Sequence, residues 1–440
     1  MCWKLLASLL LSCLAVALGA SPNDLNGPEK SAPSPTTLPA DNLFGDGGTS
    51  SFYQPQGKPP NAPGIVIRTE AMDNSKLPSS AARGIRVLYS STNGIDRSQS
   101  IAVSGQILLP KSPAPPGGWP IIAWEHGTTG IADVCAPSWR GYGSRDRTYL
   151  NRWLDEGFAI VATDYQGLGT PGPHPYLLYR PEGYSALDAV RAALRTMSDV
   201  LQNKIILVGQ SQGSGAALGA GWLAPRYAPD LNILGIVATG LVVDFVPQAG
   251  SAHPLLPVSF EDPAQMDAAY AMLEVEGTEE SLHPEVDDRR FMTASGIEMS
   301  HVARTACLID LFNKAKALNV SGADLFTKQI AELNVGKKEA SQIPTGLIQV
   351  PVFAGTGLAD YEASLPGQYN AVAAMCDAGT LVNWHRYRGL THNGTVNGSL
   401  QDSVPFVKAL LSGAHVTGNC ESISPPGPLQ PPTPGIPFND

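Results

Sequence analysis

Positive charge is scarce in this sequence. Lys and Arg number 29 against 39 Asp and Glu in 440 residues, a net charge of -10. No basic block occurs, which argues against a nucleic-acid partner. Charged residues of both signs reach only 15%, while 45 Gly and 38 Pro are present. That balance fits a loop-rich exported protein better than a helical cytosolic one. Long apolar runs are also missing after residue 20, so no transmembrane span is expected. Cysteines are few, six in all, and none is spaced as a zinc ligand set.

What is present begins with residues 1–20. Lys4 precedes a nearly unbroken apolar run, Leu5 to Leu18, and small residues follow at Gly19 and Ala20. This reads as a signal peptide; Leu10-Leu11-Ser12-Cys13 leaves a lipoprotein signal as the alternative. Cleavage removes Cys2 and Cys13. Cys135, Cys307, Cys376 and Cys420 remain, an even number in an oxidising compartment, with three possible pairings. Residues 21–62 are rich in Pro, Ser, Asn and Gly and read as a mobile linker or extended arm.

Strand-like runs follow at Ile65–Arg68, Ile85–Ser90 and Ile101–Leu109, the last two suggesting an antiparallel hairpin at a sheet edge. Buried runs Ile121–Trp124, Phe158–Thr163, Lys204–Gly209 and Ile233–Thr239 then alternate with helical patterns at Tyr149–Glu156, Tyr184–Leu201 and Ser211–Ala224. This alternation predicts a doubly covered, mainly parallel α/β sheet. From 240 to 345 helical stretches dominate: Pro263–Glu276, Asp287–Leu318 with a break, and Ala323–Leu333. This reads as a helical cap inserted in a core spanning 63–239 and 346–415. The core resumes with strands Leu347–Ala354 and Leu381–Tyr387 and helices Gln368–Ala378 and Ser403–Leu411. Residues 416–440 form a Pro-rich tail expected to be extended.

The candidate chemistry centres on Gly209-Gln210-Ser211-Gln212-Gly213, placed between a buried strand and a small-residue helix. A serine on so sharp a turn needs glycines beside it, and the helix start favours developing negative charge. Ser211 is the candidate nucleophile, and it needs a base oriented by an acid. Chain order in such a sheet places the acid after the strand that follows the cap, at Asp360, and the base after the last strand, at His392. His392 is followed by a loop-like Asn393-Gly394-Thr395. Asp244 is the rival acid; His385, His415, His283 and His301 fit the base less well. Backbone N–H groups of Gln212 and Thr128 are the expected oxyanion donors, with Gly127 letting the chain approach closely. The His126 side chain reads as structural, and Asp164 and Tyr165 as buttresses. This chemistry needs no metal or cofactor.

The set Glu125-His126-Gly127-Thr128-Thr129-Gly130, Cys135-Ala136-Pro137-Ser138, Asp164-Tyr165-Gln166-Gly167-Leu168-Gly169 and Gly209-Gln210-Ser211-Gln212-Gly213 resembles the secretory lipase family. That family includes yeast lipase A types and bacterial secreted esterases, and the resemblance spans roughly residues 60–415. It implies an α/β-hydrolase fold with the cap as lid, hydrolysis of lipid or other apolar esters, and Ser211, Asp360 and His392 as triad. It also implies that Cys135 pairs with Cys307, leaving Cys376 with Cys420. A peptidase or acyltransferase on the same scaffold, or a non-catalytic surface-binding protein, are the alternatives. Asn-x-Ser/Thr sites stand at Asn319, Asn393 and Asn397; a glycan on Asn393 would obstruct a base at His392.

Overall fold

Continuous β-branched and aliphatic runs fix the sheet. Ile205, Ile206, Leu207 and Val208 are all fully buried, as expected of a strand covered on both faces. In the computed structural model, which describes residues 47–243, 252–258, 264–333 and 346–440, nine strands form one mixed sheet. They are β1 (Val66–Ala71), β2 (Ala81–Thr92), β3 (Ser100–Pro110), β4 (Trp119–Glu125), β5 (Ala159–Thr163), β6 (Leu201–Gln210), β7 (Ile233–Thr239), β8 (Val352–Gly357) and β9 (Val382–Tyr387). Their order is β1-β2-β3-β5-β4-β6-β7-β8-β9. The first three pair antiparallel, β3 joins β5 antiparallel, and every later pairing is parallel. The β2–β3 hairpin is therefore present but is not the sheet edge, because β1 lies outside it.

The period of two divides the core into two layers. Ile121, Ala123, Ile205, Leu207, Ile236 and Ala354 pack under the helices Tyr179–Thr196, Gln212–Tyr227 and Leu365–Asp377. Ile122, Trp124, Ile206, Val208, Val237 and Phe353 face the helices Ser144–Asp155 and Leu400–Ser412. Each large side chain fully buried here stabilises the fold by roughly 1.5–3 kcal/mol.

Several expected boundaries move. The helix read over Tyr184–Leu201 runs instead from Tyr179 to Thr196. Its end is drawn back because Leu201 pairs with Trp119 of β4, extending β6 into a polar stretch with no strand signature. Its start moves earlier, with the Glu182 carboxylate accepting from the Leu177 N–H at 3.1 Å. Between β7 and β8 the described elements are helical. Ala264–Leu273 passes into a π-helical turn, Glu274–Glu279, and Ala294–Thr305 and Leu308–Leu318 follow. The stretch Ala323–Leu333 is not one helix but a short turn, Gly322–Leu325, and a 3-10 segment, Lys328–Leu333.

Residues 47–62 are not a free linker. Ser50 caps a 3-10 turn, Ser51–Tyr53, and the Tyr53 ring is fully buried with its hydroxyl 2.8 Å from that of Ser138. Residues 1–20, with the signal-peptide and lipoprotein readings, and Asp244 lie outside the described residues, as does much of the arm. Disulfides join Cys135 to Cys307 and Cys376 to Cys420.

Candidate active site

The end of β6 carries the sharpest turn in the core. Ser211 sits at φ 57 and ψ -123, a left-handed backbone that a side-chain-bearing residue adopts only when its surroundings enforce it. Two glycines make the turn possible. A Cβ on Gly209 would overlap the Gly213 carbonyl, and one on Gly213 would overlap the Glu125 carbonyl. The Ser211 N–H bonds the Thr239 carbonyl at 3.0 Å, fastening the turn to the end of β7. Gln210, Gln212, Gly213 and Ser214 are buried, while Ser211 keeps partial exposure. Gln212 opens the helix Gln212–Tyr227, so its N–H has no acceptor within that helix.

His392 comes to this turn from the far end of β9. Thr391 caps the helix His392–Gly398, its hydroxyl accepting from the Gly394 N–H at 3.1 Å. The segment Asn393-Gly394-Thr395 is thus helical rather than a loop; the cap and tertiary contacts override its poor propensity. The imidazole lies against Gly240, where a Cβ would clash with the ring. Gly240 directly follows Thr239, the residue that holds the Ser211 N–H. Asp360, in the turn after β8, accepts from His392 Nδ1 at 2.9 Å. Both residues are buried, at 3% and 2% exposure. Burial alone would lower the His392 pKa, but the carboxylates of Asp360 and Glu362 outweigh it and the net shift is upward.

Asp360 is held by four donors. Its Oδ1 accepts from the N–H groups of Glu362 and Ala363 at 3.0 and 2.9 Å, and its Oδ2 from Gln368 Nε2 at 3.0 Å besides His392. Gln368 Oε1 in turn accepts from Thr356, whose hydroxyl accepts from the Trp384 indole at 3.0 Å. Sequence reasoning missed Gln368, Thr356 and Trp384, since polar residues inside helix and strand patterns carry no local mark of such a chain. It also missed Arg145, which is half-buried and donates to Gln210 and Asn393. Asn393 Oδ1 accepts from the Arg145 guanidinium, and Asn397 Nδ2 donates to the Arg145 carbonyl at 3.1 Å.

The loop after β4 faces the nucleophile turn from the other side. A Cβ on Gly127 would meet the end of the Gln210 side chain, so glycine lets the loop approach the turn closely. Thr128 keeps partial exposure, and its hydroxyl lies 2.8 Å from that of Tyr176. Tyr165 stands at φ 76 and donates to the His126 carbonyl at 2.9 Å, with the two rings 4.4 Å apart. His126 is buried against it. Asp164 is buried too: burial raises its pKa, and it is tied to Ser104 at 2.6 Å and to Ser138. Both positions brace the loop. Behind Gln212, its Nε2 donates to His174 Nε2 at 2.9 Å and Glu182 Oε1 at 2.8 Å. Burial lowers the His174 pKa to about 4, which keeps its Nε2 an acceptor, and raises that of Glu182 to about 8.

Residues 143–251 match the secretory lipase family. The chain is similar to the secretory lipases. A secreted triacylglycerol lipase of Malassezia globosa is 24% identical over 412 residues, covering 86% of this chain and 82% of that one. A probable inactive lipase of Mycobacterium tuberculosis is 26% identical over 221 residues, covering 47% of this chain and only 46% of its own. In three dimensions the chain superimposes on Candida antarctica lipase A in its closed state with a TM-score of 0.65, at 20% identity and 92% coverage of both chains. The fold is that of the α/β hydrolases. No helix among the described residues is long and apolar enough to cross a membrane.

Proposed function

We propose that this protein is a secreted serine hydrolase of carboxylic esters, lipase or carboxylesterase in type, acting through an acyl-enzyme. The observation that carries the reading is the buried His392–Asp360 pair, its ring lying against Gly240 beside the strained Ser211 turn. Ser211 Oγ attacks the ester carbonyl carbon while His392 Nε2 takes its proton. The new oxyanion accepts from the N–H of Thr128, in the loop after β4, and from that of Gln212, at the start of a helix. Collapse expels the alcohol, which leaves with the proton from His392. Water then gives its proton to His392 and attacks the acyl carbon, and Ser211 recovers its hydrogen as the acid departs. Asp360 keeps Nδ1 protonated and stabilises the imidazolium, and needs no proton of its own.

The name of the Malassezia relative supports acylglycerols or other apolar acyl esters as substrates and an extracellular site of action. The helices between β7 and β8 are read as a cap; Tyr270 from the first of them donates to Glu362 at 2.9 Å, next to the acid turn. That contact ties these helices to the acid turn and supports reading them as a lid.

The test is hydrolysis of p-nitrophenyl esters from acetyl to palmitoyl, with matched anilides alongside, by wild type and Ser211→Ala. Ester turnover is expected in wild type and should fall by about 10⁴-fold or more in the variant. Preference for the anilides would favour a peptidase, and no turnover of any acyl chain would align the protein with its inactive mycobacterial relative.

A further inference from the structure

The proline-rich segment 416–440 does not trail away from the core. The Cys376–Cys420 disulfide ties its start to the helix Leu365–Asp377. Asn419 then lies along β9: its N–H bonds the Val382 carbonyl at 2.9 Å, and its carboxamide takes both the N–H and the carbonyl of Trp384 at 2.8 Å. Arg386 holds Ser424. Gln430 makes the next contact and touches two separate turns. Its N–H donates to the Leu358 carbonyl at 2.8 Å, two residues before Asp360, and its Oε1 accepts from the Gly389 N–H at 3.2 Å, three before His392. The Thr433 N–H bonds the Gly389 carbonyl at 2.8 Å.

Asn439 completes the series. Its Oδ1 accepts from the Thr391 N–H at 2.7 Å, and its Nδ2 donates to the carbonyls of Gly389 and Thr433 at 2.9 and 2.8 Å. A carboxamide offers two donors, and here both meet carbonyls while its oxygen meets an N–H. The chain on the other side is shaped to receive these groups. A Cβ on Gly389, whose φ is 66, would collide with Thr433, and one on Gly394 would collide with Asn439. Two glycines flank His392, and residues of the proline-rich segment fill the space each leaves.

We propose that segment 416–440 is a splint that sets His392 against Asp360, with Gln430 and Asn439 as positioning residues for the reaction. The proposal rests on the reading of His392 as general base. Gln430 spans the acid turn and the base turn, and Asn439 fixes the residue before the base. Proline suits the task, because a stiff extended chain loses little entropy when it is laid down. Neither side chain touches the reacting atoms; they act through the turn that carries the base.

The experiment compares wild type with Asn439→Ala, Gln430→Ala and Gln430→Glu. Each is assayed with p-nitrophenyl butyrate across pH, melted thermally, and followed by amide hydrogen exchange of the peptide covering residues 388–398. Both alanine variants should lose kcat by about 10- to 100-fold with KM little changed, as misplacement of a catalytic group does. Exchange should quicken in that peptide and not across the sheet. Gln430→Glu keeps an oxygen for the Gly389 N–H and should recover most of the rate. Alanine variants with wild-type kcat and wild-type exchange would overturn the proposal, as would faster exchange throughout the molecule. Should wild type hydrolyse no ester, the catalytic reading falls. The exchange arm then decides by itself whether the segment holds the turn, and unchanged exchange would end the splint as well.

Discussion

At the scale of single residues, the site is built from groups that each have one tolerated identity. Gly213 is such a residue: nothing about its dihedrals demands glycine, but the Glu125 backbone leaves no room for a methyl group. Gly213→Ala should cost about 1–3 kcal/mol in urea denaturation and lower kcat as well, because relief of the overlap must move the Ser211 turn. Glu362 acts at longer range. It is one of two carboxylates that raise the His392 pKa against the effect of burial. A general base works when neutral, so a raised pKa moves the acid limb of kcat/KM upward in pH. Glu362→Gln removes one raising charge, and the limb should shift to lower pH in a kcat/KM profile; an unmoved limb would show that Glu362 does not act on the base electrostatically.

Legibility in the sequence divides along the same line. Ser211, Asp360 and His392 were candidates because a sharp Gly-x-Ser-x-Gly turn and strand-end positions leave local marks, and the structure brings the latter two into contact. Gln368 leaves none: it sits in a helix whose other residues face the core, and its bond to Asp360 depends on how β8 and that helix dock. Asn439 is further still, its partner Thr391 lying 48 residues away.

At the scale of elements, the buried parallel strands were legible because each is a continuous apolar run. Segments whose form is imposed by neighbours were not. The π-helical turn Glu274–Glu279 follows a regular helical pattern without a break in sequence. Its Gly277 packs against the His174 carbonyl and Tyr176, and the Thr278 hydroxyl donates to the Tyr176 carbonyl at 2.6 Å. The Tyr176 hydroxyl also reaches Thr128, so one residue connects the inserted helices to the loop of the expected oxyanion donor. The Cys135–Cys307 disulfide does the same from the opposite end of that loop. Beside it the Leu308 N–H bonds the Thr129 carbonyl at 3.0 Å. Replacing both cysteines by serine should lower stability by about 2–4 kcal/mol in a denaturant titration. It should also lower kcat/KM if the loop is held by this tie; wild-type kcat/KM in a folded double variant would show that Leu308 and Tyr176 suffice.

For the whole molecule, both faces of the sheet are covered and both ends of the described chain are fastened to it. Residues near 50 reach Ser138 through Tyr53, and residues near 430 reach the turns after β8 and β9. Composition pointed to loose ends here, since proline-rich stretches bury little apolar surface. What the composition hides is that the buried rings of Phe52 and Tyr53 anchor the first end, and that hydrogen bonds to two turns anchor the second. β9 ends the sheet, and an uncovered final strand is a template on which a second chain can lay its own backbone. The Asn419 carboxamide, mimicking a peptide group, already occupies Trp384 on that border, and its N–H occupies Val382. The contacts that begin the splint therefore also blunt the sheet against self-association, so colloidal behaviour and the geometry of the base share one stretch of chain.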